Sequence, residues 1–129
     1  ECTVDAMCSW VIAKRTNLWN SVSPRHSHLP SFAIDTDRAT EYLIRHLLYR
    51  QLTLTCLRQL NCRFICLTYE QMMANKQETL NDVADFLGVT ECRRYSRLQK
   101  LMVRPYREIV TNYDELLELE RSVKQRIQG

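Results

Sequence analysis

The sequence predicts an α/β fold that is mainly helical, with one central strand. Two observations carry this. A short apolar run, Phe64 to Tyr69, follows Asn61 and is rich in aromatic residues, the pattern of a strand buried on both faces. After a polar loop comes a helical pattern with Leu80, Val83, Phe86 and Leu87 on one face. Gly88 stops that helix, because glycine takes the left-handed conformation past a helix end without strain, and Val89 sits at the hydrophobic position of a Schellman motif. No second convincing strand is found, so the strand Arg63–Tyr69 needs edges from elsewhere.

The other elements follow in chain order. Thr3 to Trp19 reads as a helix, capped by Thr3, with Val4, Met7, Cys8, Val11 and Ile12 at helical spacing. Asn20 to Asp35 is a linker dense in proline, serine and histidine. Thr36 to Leu60 is a long helix of roughly 36 Å, capped by Asp35 or Thr36. Tyr42, Leu43, Leu47, Leu54 and Leu57 form its apolar side, and Asn61 ends it in the left-handed region. Thr90 to Val103 carries spaced cations, and Pro105 opens a short helix. Asn112-Tyr113-Asp114 makes a turn and caps a last amphipathic helix. Its stripe is Leu116, Leu119, Val123 and Ile127, with Glu120 and Lys124 as an i,i+4 pair.

Composition narrows the function classes. The 129 residues fit one domain, residues 1–129, or a fragment, and 45% hydrophobic residues mark a globular chain. A net charge of +3, spread without runs, gives no nucleic-acid stripe. No apolar run is long enough for a transmembrane helix, and no signal peptide is visible. The first residue is Glu1 rather than Met, as in a fragment or processed product. Gly88 and Gly129 are the two glycines, so there is no Gly-x-x-x-x-Gly-Lys phosphate loop. Six cysteines, at 2, 8, 56, 62, 66 and 92, match no zinc spacing. They read as small buried hydrophobes, Cys66 above all, which points to a reducing, cytoplasmic compartment. His26, His28 and His46 lack partners at ligand spacing, so no metal site is expected.

Four stretches together resemble the sulfotransferases that use 3′-phosphoadenosine-5′-phosphosulfate. One is the strand ending in Tyr69-Glu70, followed by a helix ending in Phe86-Leu87-Gly88-Val89, with Lys76 where members commonly have proline. A second is Ser9 on a helix, followed by Ala13, Thr16 and Trp19, as in the bacterial trehalose sulfotransferase group. Tyr69 itself is a third, and the segment from Lys100 through Pro105 to Asn112-Tyr113-Asp114-Glu115 is the fourth.

The resemblance implies a partial sulfotransferase fold, P-loop-like, without its N-terminal sheet and phosphate loop. It implies that Ser9 donates to the 3′-phosphate of the co-substrate, that Tyr69 lies against adenine, and that Lys100 or Arg104 closes over the phosphate. Arg25 or His26 would border the acceptor site. The family's arginine on the 3′-phosphate is matched by Glu1, which would repel it. The resemblance covers the second half of such an enzyme, so no catalytic residue is assigned. The expected chemistry is sulfuryl transfer to an acceptor hydroxyl, carbohydrate or glycolipid, with this chain inactive alone. The alternative is a non-catalytic helical module. In either case the lone strand pairs with a partner chain or with a missing N-terminal half.

Overall fold

A computed structural model describes residues 2–17, 19, 29–90 and 104–128. Among these the protein forms five α-helices and no strand. They are α1 (Thr3–Thr16), α2 (Thr36–Gln59), α3 (Tyr69–Ala74), α4 (Lys76–Leu87) and α5 (Tyr113–Gln128), with a 3₁₀ turn over Tyr106–Glu108 before α5. The chain divides into two units. The smaller is Thr53–Ser96, and the larger joins Cys2–Leu52 to Arg97–Gly129.

The larger unit is built on α1, the first part of α2, and α5. The α1 periodicity buries Val4, Met7, Cys8 and Ile12, and α5 contributes Leu116 and Val123. Ala39 and Leu43 enter this core from α2, and Ile34, Ile109 and Val110 from the segments between helices. Each of the valine, leucine, isoleucine and methionine side chains contributes about 1.5–3 kcal/mol by leaving water. Part of the expected linker is in fact tied down: Phe32 and Val110 form an isolated parallel bridge. The Phe32 N–H donates to the Ile109 carbonyl at 2.8 Å, and the Thr111 N–H donates to the Phe32 carbonyl at 2.9 Å. Asp35 caps α2, its Oδ1 accepting from the Arg38 N–H at 2.9 Å. Pro105 precedes the 3₁₀ turn rather than opening an α-helix.

The smaller unit is assembled from local signals. Asn61, at φ 54°, ends α2 in the left-handed region as its sequence predicts. The Cys62 N–H then reaches the Leu57 carbonyl, and the Asn61 N–H reaches that of Arg58, a full Schellman motif. The same motif closes α4: Gly88 has φ 67°, and Val89 N–H bonds the Ala84 carbonyl. Thr68 opens α3 with a capping box, accepting from the Gln71 N–H while the Gln71 side chain accepts from its own. Asn75 caps α4 by accepting from the Glu78 N–H.

The expected central strand does not form. Residues 62–68 are irregular, and Tyr69 is the first residue of α3. A strand exists only by pairing, and from Arg63 to Leu67 no backbone N–H or C=O finds a partner among the described residues. The local motifs on either side win instead. The end of α2 consumes Cys62, and the capping box draws Thr68 and Tyr69 into a helix start. The burial expected of the stretch fails with it: Ile65 is 37% exposed and Leu67 36%. Leu87, expected on the inner face of α4, is exposed as well, while Leu80, Val83 and Phe86 are half-buried.

Candidate functional site

The residues singled out for a nucleotide fall in different places. Ser9 and Arg104 belong to the larger unit and Tyr69 to the smaller. Lys100, Arg25, His26, His28, Glu1 and the cations Arg93, Arg94 and Arg97 lie outside the described residues. Ser9 is exposed in the middle of α1. At that position the helix amides are already used in the helix ladder. The free amides are at the start of α1, and they have another partner: Glu120 of α5 accepts from Thr3 N–H at 3.1 Å and from Val4 N–H at 3.4 Å. The positive end of this helix therefore serves a carboxylate of the protein itself.

Tyr69 is 54% exposed at the first position of α3, so its ring is open to a ligand. Glu70 beside it is exposed. Arg104 is committed within the larger unit. Its guanidinium donates to the Leu29 carbonyl at 3.5 Å, to the Glu108 carbonyl at 3.4 Å, and to Glu108 Oε2 at 3.4 Å. Arg107 pairs with Asp114 at 2.6 Å.

Two polar devices hold the larger unit together, and of their contacts the sequence pattern showed the Glu120–Lys124 pair. The first centres on Glu120, which is 4% exposed. Besides the two amides it receives Lys124 Nζ at 2.7 Å. Burial pushes this carboxyl up, but the hydrogen bonds from Lys124 and Thr3 outweigh it and hold the group below its ordinary 4.5. Next to it, Tyr113 donates its hydroxyl to Asp5 Oδ1 at 2.6 Å, and burial and that bond raise its pKa. Burial, and then Asp5, push the Cys8 thiol up to about 12, so it stays protonated. The signal for Glu120 was available: it lies in the apolar register between Leu116 and Val123, where a charge must find partners. The second device is Asn112. Its side chain does not cap α5 but accepts from Ile34 N–H at 3.0 Å and donates to the Ile34 carbonyl at 2.8 Å, extending the contact made by the Phe32 bridge.

A row of rings also lies on the larger unit. Trp10 meets Tyr42 at 5.8 Å, Tyr42 stacks on His46 at 5.8 Å, and the Lys14 ammonium sits 5.0 Å from the Trp10 ring. His46 is thus half-buried against the Tyr42 ring.

In the smaller unit the open stretch Arg63–Leu67 is the distinctive feature. Arg63 places its guanidinium 5.5 Å from the Phe86 ring. Cys56, Cys62 and Cys66 are exposed free thiols, against the buried placement expected of the cysteines, while Cys8 is buried. No group of cysteine, histidine and carboxylate able to hold a metal occurs among the described residues, and no described helix is long and apolar enough to cross a membrane.

Comparison with protein-family models, curated proteins and solved structures returns no match for this chain.

Proposed function

We propose that this chain is a segment of a sulfotransferase-family protein. It would contribute the adenosine 3′-phosphate side of a site for 3′-phosphoadenosine-5′-phosphosulfate. What supports the reading is the order of its motifs: the serine helix, the apolar run ending in Tyr69-Glu70, and the helix closed by Gly88-Val89. The exposure of both Ser9 and Tyr69 is compatible with it. The whole reaction is transfer of the sulfuryl group to an acceptor hydroxyl of a carbohydrate or glycolipid. It needs cations on the leaving phosphate and a base for the hydroxyl. Without a glycine-rich phosphate loop in its sequence, the chain alone does not catalyse it. Arg104 would have to leave Glu108 to serve the phosphate, which weakens binding further.

The test is calorimetric titration of the chain with adenosine 3′,5′-bisphosphate, beside a sulfate-transfer assay on a broad acceptor panel. Two missing charged contacts, each worth roughly 1.5–3 kcal/mol, lower affinity by about two to four powers of ten. The expected result is millimolar or weaker binding, abolished by Ser9→Ala and Tyr69→Ala, and no turnover. Weak binding that neither substitution changes would defeat the reading. The second reading, a non-catalytic helical module, is favoured by the backbone of Arg63–Leu67, which has no partner among the described residues and fits strand addition by a partner.

A further inference from the structure

We draw no further inference here: the strongest candidate, the row of rings Trp10, Tyr42 and His46 that α1 and α2 carry on the surface of the larger unit with the Lys14 ammonium beside it, carries none because nothing in the structure shows what covers it.

Discussion

In the larger unit, α1, α2 and α5 each hide at least two side chains from water, whereas in the smaller unit the one buried residue among those described is Thr79. The smaller unit is nevertheless the better capped: two Schellman motifs, a capping box and an asparagine cap lie between Leu57 and Val89. The larger unit closes through distant pairs instead, Thr3 with Glu120 and Ile34 with Asn112. Caps specify where helices begin and end, but a core decides whether they stay together. The smaller unit has its boundaries drawn and its burial incomplete, with Leu60, Tyr69, Met73, Leu87 and Val89 all exposed.

That contrast is breakable by truncation. Leu116→Ala removes a fully buried side chain from the larger unit and should cost about 2–5 kcal/mol, read by chemical denaturation. Leu67→Ala, at a site 36% exposed, should change stability by about 0.5 kcal/mol or less. A comparable loss at Leu67 would mean that this side chain is buried in solution.

Glu120 sharpens the electrostatic side. Glu120→Ala leaves the Thr3 and Val4 amides without their acceptor and Lys124 without its partner, for a loss of about 2–4 kcal/mol. The folded carboxyl titrates below its ordinary 4.5, so its stabilisation is complete above that value and is lost as pH falls through the folded value. Denaturation across that window should show the decline, and Glu120→Gln should flatten it.

A smaller effect than either change in the larger unit belongs to a cap. Gly88→Ala places a side chain at φ 67°, where the added Cβ meets nothing within 4 Å. The cost is therefore conformational alone, about 1 kcal/mol, and should appear as faster amide exchange at the end of α4.

Helix faces and two of the helix stops were legible in the sequence because their causes are local, whereas α1 ends at Thr16 rather than Trp19, Cys2 rather than Thr3 stands at its N-cap, and α3 lies where a loop was expected. Val4, Met7, Cys8 and Ile12 declare a face by spacing, and Asn61 and Gly88 declare stops by conformational preference. The run Phe64–Tyr69 misled because β-propensity describes a side chain's fit to a sheet, while a strand is a relation between two segments. Asn112 was legible only as a turn residue, since its partner Ile34 is 78 positions away. Of the site residues, the sequence placed Ser9 on a helix correctly. It could not show that the start of that helix was already occupied by Glu120, or that Arg104 was held by Leu29 and Glu108.

The bridge between Phe32 and Val110 gives the chain a particular topology. It closes a loop in which the whole of Thr53–Ser96 is an insertion, because the larger unit is contributed by sequence on both sides. The entropy of closing such a loop grows only with the logarithm of its length, about 0.6 kcal/mol for each doubling. The scaffold is thus nearly indifferent to how much chain it carries between its two halves.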